Sequence, residues 1–389
     1  MGNATFAGYL KAQAALHPSM TPQDAVKLCF QAAFGAEHIM IDPAAARAAL
    51  LAEFARTQSG EMAVFEPVSA EYSRCNLAAW KHRQLPPEWL FRMFWHSARD
   101  NSVPGNSVSD NYGPDDFVQS SSTPGNPAPE KRKNREALFT EYLATVTAWA
   151  EQGLLPFPGA TWCTYLEEYL AGGIRPVHHS EEYRSREEPA YRIVKREYEK
   201  LLPVLQKLAT LQEQAIQEQT VPKVIAIDGR AAAGKTTLAA LLARVLAAQV
   251  IPMDDFFLPA ELRTAERLAE SGGNIHYERF CAEVLPYLKE NGSFSYRRFD
   301  CGIMDYRGSR LVQSSPWRIV EGSYSCHPAF GDYMDCRVFC DISPEEQKER
   351  IIKRNGPEMA ELFFTRWIPM EEQYFKTERI KEKADVIVE

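Results

Sequence analysis

Two patterns of apolar residues divide the chain. Up to about residue 100 they recur at three and four positions, as in Pro22 to Phe34 and Pro43 to Phe54, which predicts amphipathic helices and few strands. The same spacing returns at Glu136 to Trp149 and again from about Glu188 to Glu218, where Pro203 predicts a kink in a helix expected to connect two domains. After Pro222 the pattern becomes one of short, wholly apolar runs at Lys223 to Asp228, Val250 to Met253, Trp317 to Val320, Arg337 to Asp341 and Asp385 to Val388. Such runs alternating with helical stretches predict a parallel sheet covered by helices on both faces. No internal repeat is visible.

Between Asn101 and roughly Glu130 the pattern lapses into Ser, Gly, Pro, Asn and Asp, closed by the basic run Lys131-Arg132-Lys133, and predicts a mobile insertion loop at about 101–130. A length of 389 residues exceeds what one ordinary core uses. The expectation is therefore a mainly helical accessory domain over 1–220 and an α/β domain over 221–389.

Composition narrows the function classes. With 45% hydrophobic and 25% charged residues the chain reads as an ordinary globular protein, and no apolar run is long enough for a bilayer. A formal charge of −8 argues against general nucleic-acid affinity, which draws on a basic surface. Small molecules are the expected partners, with no nucleic acid and no membrane, and a homo-oligomer is left open. The start, Met1 to Phe6, lacks a basic-then-apolar leader, and Phe6 stands where a myristoylation signal has Ser or Thr. The eight cysteines are scattered singly, as reduced thiols are; Cys336 and Cys340 read as strand residues of the core. A cytoplasmic location follows as the expectation.

The strongest chemical signal is Gly229-Arg230-Ala231-Ala232-Ala233-Gly234-Lys235-Thr236-Thr237, a phosphate-binding loop running out of an apolar strand into a helix. Its glycines let backbone N–H groups turn inward to cradle phosphates, and the helix N-terminus adds to them. Lys235 supplies a mobile positive charge for the outer phosphates, and the Thr236 hydroxyl suits Mg²⁺. The nucleotide expected here is ATP or GTP.

Two further strands end in acids. Ile251 to Phe257 delivers Asp254 and Asp255 to the carboxyl edge of the sheet, where ligands of parallel α/β folds lie. An aspartate beside an acceptor hydroxyl both orients it and takes its proton; the same pair also fits a plain turn or helix cap. Trp317 to Gly322 brings Glu321 to the same edge, either as a Mg²⁺ ligand or as a salt-bridge partner, and Thr236, Asp254 and Glu321 would suffice for an ion that keeps several waters.

These residues resemble the uridine kinase and phosphoribulokinase group of P-loop kinases. The resemblance covers roughly 222–389 and rests on the loop, on Asp254-Asp-Phe-Phe257, on Val320-Glu-Gly322, on Trp367 to Phe375 and on Ala384 to Val388. It implies phosphorylation of a ribose 5′-hydroxyl of a nucleoside such as uridine or cytidine, as in pyrimidine salvage, with Asp254 as base and Thr236, Asp254 and Glu321 near Mg²⁺. By the same resemblance His276 occupies the slot of a ribose-holding aspartate, and Phe299, before Asp300, that of a tyrosine beside the base. Asp255, Tyr296 and Arg366 join them as candidate acceptor-site residues. Phe299 also fits the core, and Tyr296, Arg297 and Arg298 fit an edge strand facing the acceptor or only solvent.

Such kinases carry a basic lid, represented here by Arg350, Lys353 and Arg354 in the helix starting at Pro344. The lid reads as short, since Asn355-Gly356 follows at once, and Arg366 is the candidate to complete its charge. Arg354 is the expected lid contributor to phosphoryl transfer. Arg350 and Lys353 read rather as a solvated helix face. A phosphorylated sugar acceptor would require a second basic cluster, for which Arg297 and Arg298 are the compact candidates.

The N-terminal half has no comparable motif. Its most distinctive stretch, Pro176 to Arg184 followed by Glu188 to Arg192, is dense in His, Tyr and Arg and could build a polar pocket. Metal binding by His178, His179, Glu37 and His38 lacks any ligand-spacing pattern. Two classes therefore stand: a small-molecule kinase with a helical accessory domain, for which the acid pair speaks, and a nucleotide sensor without turnover.

Overall fold

The computed structural model describes residues 2–36, 42–99, 129–218 and 222–389. The loop expected at 101–130 falls almost wholly outside these, as do Glu37 and His38. The described residues divide into two compact units, with the division at 199/200.

The first unit is built on helices α1 (Gly2–Leu16), α2 (Pro22–Phe34), α3 (Pro43–Arg56), α4 (Leu77–His82), α5 (Pro87–Ala98), α6 (Pro129–Glu151), α7 (Gly159–Ala171) and α8 (Glu181–Glu187). A small antiparallel sheet joins them, ordered β1 (Phe65–Pro67), β2 (Tyr72–Asn76), β3 (Tyr191–Lys195). The core is aromatic: Phe6 stacks on Tyr142, and Phe30 and Phe34 meet Phe139 across α2 and α6. The helices expected at 22–34, 43–54 and 136–149 are present, the last as part of α6.

The single helix expected over 188–218 is not formed. Pro189 cannot donate within a helix, and Ile193 and Val194 are wholly buried in β3, paired to β2. A 3₁₀ turn over Arg196–Leu201 follows, and α9 (Leu202–Glu218) starts afresh, with Pro203 in its first turn where a missing N–H costs nothing. This helix packs within the second unit, against strands β9 and β10 described next.

That unit contains β4 (Lys223–Gly229), α10 (Lys235–Leu246), β5 (Gln249–Pro252), α11 (Ala265–Ala269), α12 (Tyr277–Glu283), the hairpin β6 (Phe294–Asp300) and β7 (Asp305–Val312), then β8 (Trp317–Glu321), β9 (Cys336–Cys340), α13 (Pro344–Leu362), α14 (Ile368–Glu378) and β10 (Val386–Val388). Five strands form one parallel sheet in the order β10-β9-β4-β8-β5. Val224, Ile225, Ala226 and Ile227 of the central β4 are fully buried, as a strand covered on both faces requires. Cys336 and Cys340 are buried in β9, and all eight cysteines are free. The segment Tyr296 to Arg298 lies not at the edge of this sheet but in the separate hairpin, whose bulge falls between Arg297 and Phe299.

The chain reverses strand order around β4, so the carboxyl end of that strand is the topological switch point where open α/β sheets bind ligands. Gly229 ends β4 there.

Candidate active site

Gly229 is held at φ 133°, and a Cβ on it would come within 2.1 Å of the Cys340 carbonyl oxygen, so the close approach of β4 to β9 admits only glycine. Arg230 N–H donates to that same carbonyl at 3.0 Å. The loop is then fixed from outside. Arg230 Nε meets Asp341 at 2.7 Å and its Nη1 meets Glu372, Ala231 N–H donates to Glu371 at 3.0 Å, and the Ala231 carbonyl accepts from Gln347 at 3.0 Å. Ala232 takes a positive φ of 60°, and its carbonyl accepts from Arg350 at 3.1 Å. Ala233 N–H closes the turn on the Arg230 carbonyl at 3.2 Å. Helix α10 begins after Gly234 without a side-chain cap, which leaves the first-turn N–H groups of Lys235, Thr236 and Thr237 free of the helix's own carbonyls. Lys235 Nζ lies over the loop, donating to the carbonyls of Gly229 at 2.7 Å and Arg230 at 2.9 Å.

Two carboxylates face this loop. Asp254 sits in the 3₁₀ turn Met253–Phe256 that follows β5, and Glu321 is the last residue of β8. Those strands are neighbours, with Pro252 opposite Glu321, so register alone brings the acids together. Burial, and after it the charge of Asp254, pushes the Glu321 carboxyl up to about 7, against the pull of Lys235 and of the Thr236 hydroxyl, which lies 3.4 Å from it. Asp254 stays open to solvent at the mouth of the site but is otherwise ringed by protein. That enclosure raises its pKa, Asp255 adds to the rise, and Lys235 and Arg354 oppose it.

An all-oxygen set of one hydroxyl and two mutually repelling carboxylates fits Mg²⁺, whose charge would relieve the repulsion. Among the described residues no group of three or more His, Cys, Asp or Glu could hold a metal alone, so the ion would depend on triphosphate and water for its remaining ligands. Of the set considered for metal in the N-terminal half, the two described members are not poised for it: His178 is exposed and both ring nitrogens of His179 are engaged, by Asp24 and Tyr191.

Asp255 is buried and fastens the hairpin to the base of the site. Its Oδ2 accepts from Tyr296 Oη at 2.9 Å and Arg310 Nε at 2.8 Å, two residues paired across β6 and β7, and Arg298 stands 3.7 Å from Oδ1. Behind it the buried Arg279 donates to the Asp255 carbonyl at 2.9 Å and lies over the Phe256 ring. The hairpin turn brings Cys301 near Asp254: burial first and that carboxylate next push the thiol up to about 11.

The other sequence candidates are less directly engaged. The His276 ring is 3.1 Å from Glu278, while the residue's backbone N–H donates to the Phe256 carbonyl. Phe299 is buried edge-on against Tyr306. Arg297 is held by Glu283. Arg366 lies over Trp367 and beside Arg263, whose pKa is lowered by burial, then partly restored by Cys301 and lowered again by Arg366.

The lid differs from the short helix expected. Helix α13 runs to Leu362, broken only at Gly356, whose φ 76° and ψ 165° suit glycine alone, and a π turn over Phe363–Trp367 leads into α14. Arg354 lies over Phe363 and acts on Asp254 through its charge. Arg350 is no plain solvated residue, since it reaches the loop carbonyl of Ala232. Gln347 and Arg310 carry structural roles that no motif marked, and Glu371, within the Trp367 to Phe375 stretch, was assigned no role. A period-3.6 reading of α13, which puts Gln347 on the face of buried Ile351, was the one available signal for the first.

No family model matches the chain. Among solved structures it is similar to a possible uridine kinase from Bacillus stearothermophilus, at 22% identity over 43% of this chain and 89% of that one, with a TM-score of 0.35. It is also similar to a candidate fructose transport system kinase from a Silicibacter species, at 21% identity over 45% and 96%, with a TM-score of 0.36. The parallel strand order, the loop at the end of β4 and the helix behind it define the fold of the C-terminal unit. The C-terminal unit has a P-loop kinase fold.

Proposed function

We propose that this chain is an ATP- or GTP-dependent phosphotransferase acting on a small hydroxyl acceptor. The observation that carries the reading is the placement of Asp254 opposite Lys235, close enough for each charge to act on the other, at the end of the sheet that bears the phosphate loop. The loop amides and the first turn of α10 suit the donor's phosphates, and Lys235 supplies positive charge for the outer ones. Asp254, with its pKa raised toward the working range, takes the acceptor's proton as the acceptor oxygen bonds the terminal phosphorus. The bond from that phosphorus to the bridging oxygen breaks, and the nucleoside diphosphate leaves. Magnesium, when bound with the triphosphate, neutralises charge on its terminal phosphates, and Thr236, Asp254 and Glu321 would hold it. The preference for an enzyme over a sensor without turnover rests on the same acid.

For the acceptor, the nucleoside reading, uridine or cytidine at the 5′-hydroxyl, is the first proposal, with Asp255, Tyr296 and His276 about the sugar. A second reading, a phosphorylated sugar, is favoured by one observation: Arg263 and Arg366 stand close enough to repel, and Arg354 faces Asp254 nearby. Arginines close enough to repel one another suit a second phosphate.

The test is nucleoside diphosphate release by the purified full chain with ATP or GTP and Mg²⁺, against uridine, cytidine, other nucleosides, pentose phosphates and no acceptor. Stimulation by a nucleoside supports the first reading and stimulation only by a pentose phosphate the second. Tight nucleotide binding without turnover under any acceptor would contradict both and leave a sensor.

A further inference from the structure

The N-terminal unit buries a guanidinium that the chain itself does not neutralise. Arg74, in the middle of β2, is 5% exposed. Its Nη1 donates to the neutral Gln13 at 2.9 Å, while Nε and Nη2 have no hydrogen-bond partner. Those two nitrogens form the side-on edge of the guanidinium, the fork that grips a carboxylate or phosphate with two parallel bonds. The flat faces are covered by rings, Tyr191 at 4.0 Å and Tyr9 at 5.3 Å.

The surroundings are polar but short of negative charge. The Tyr9 hydroxyl is buried and also unpartnered. Tyr183 lies close by, its phenol pushed up to about 12 by burial, with Arg74 acting against the rise through its charge and a side-chain contact too loose to satisfy Nε or Nη2. A second cation, Lys27 on α2, is half-buried; burial, and then the charge of Arg74, lowers it to about 8. Two acids are near. Asp24 is spent: its oxygens accept from His179 Nδ1 at 2.8 Å, Ser180 N at 3.0 Å, Ser180 Oγ at 2.7 Å, Thr21 N at 3.0 Å and Thr21 Oγ1 at 2.7 Å. Glu66 pairs with Arg74 in strand register, and its charge acts on the guanidinium less than each of the tyrosines Tyr191, Tyr9 and Tyr183 does.

A buried cation that no carboxylate grips is costly, and the cost persists in a fold only where something offsets it. We propose that Arg74, Lys27 and the Tyr9 hydroxyl form a ligand site for the oxyanion of a small molecule, a phosphate or a carboxylate. Gln13 orients the guanidinium from its far edge. The chain Asp24–His179–Tyr191–Gln31 fixes the ring of Tyr191 that stacks on it: Asp24 accepts from Nδ1, so Nε2 accepts the Tyr191 proton at 2.6 Å, and Gln31 donates to the same phenol at 3.1 Å. This site lies wholly within the unit that carries the His, Tyr and Arg stretch after Pro176, and it does not depend on the kinase reading.

The test uses the full chain carrying Lys235→Ala, which weakens phosphate binding at the other unit. Inorganic phosphate and acetate are titrated by calorimetry into this protein and into versions that add Arg74→Met or Tyr9→Phe. Binding of one anion or both is expected, weakened at least tenfold by Arg74→Met and severalfold by Tyr9→Phe. Phosphate alone or acetate alone assigns the oxyanion. Absence of binding by both anions, or binding indifferent to Arg74→Met, overturns the site. Should Arg74→Met not fold, Tyr9→Phe, which keeps the ring, decides on the same terms.

Discussion

Gly229 is the residue on which the nucleotide site depends most. A methyl group there meets the backbone of β9 rather than a side chain that could rotate away, so Gly229→Ala is expected to cost more than about 2 kcal/mol and to abolish nucleotide binding, read by nucleotide titration and thermal unfolding. In the other unit His179 titrates. Burial lowers it from 6.5 to about 4, against the hydrogen bond it donates to Asp24, which works to raise it. Burial alone would raise Asp24, but its bonds to His179, Ser180 and Thr21 win and hold it at about 2. A neutral His179 donating to an ionised Asp24 satisfies both. The unfolded chain binds the proton first, so the stabilisation is complete above about 6.5 and is lost as pH falls toward about 4. Hydrogen exchange of the Tyr191–Lys195 amides should show that slope, and His179→Phe should remove it. Residues with a motif behind them, such as Lys235 and Asp254, were legible in the sequence. Arg74 was not, because a buried arginine in a strand carries no pattern until its neighbours are known.

At the scale of elements, the phosphate loop is held in shape by α13 and α14. Gln347 and Glu371 take its backbone groups at Ala231 from two sides. Gln347→Ala leaves the Ala231 carbonyl without that partner, at about 1–3 kcal/mol, and is expected to weaken nucleotide binding while the acceptor KM stays unchanged, measured by steady-state kinetics. Parallel strands were readable because burial on both faces makes them unbroken apolar runs; all five were expected within a residue or two of their ends. The stretch 188–218 was not, since Ile193 and Val194 fit a helical spacing as well as a strand, and only pairing with β2 decides between them. The hairpin was half-seen for a related reason: β7 is mostly exposed and polar, Asp305 to Arg310, and its place is set by cross-strand bonds to β6 and by Asp255.

For the molecule as a whole, the division into two units at 199/200 puts the phosphate loop and the buried Arg74 in different units. No helix among the described residues is long and apolar enough to cross a membrane. A formal charge of −8 predicts that the full chain does not bind duplex DNA at physiological salt, which a filter-binding titration would check. The P-loop fold was legible because strand, loop and helix are contiguous in sequence; the helical character of the N-terminal unit was legible too, but its polar cluster was not, because it is drawn from α1, α2, β2, α8 and β3. The assignment of phosphoryl transfer turns on one carboxylate. The most direct measurement is kcat and nucleotide affinity of Asp254→Asn beside the unaltered chain, with the acceptor that stimulates turnover. Transfer by way of Asp254 predicts kcat lower by roughly 10²–10⁴ with nucleotide affinity within a few-fold; an unchanged kcat would contradict it.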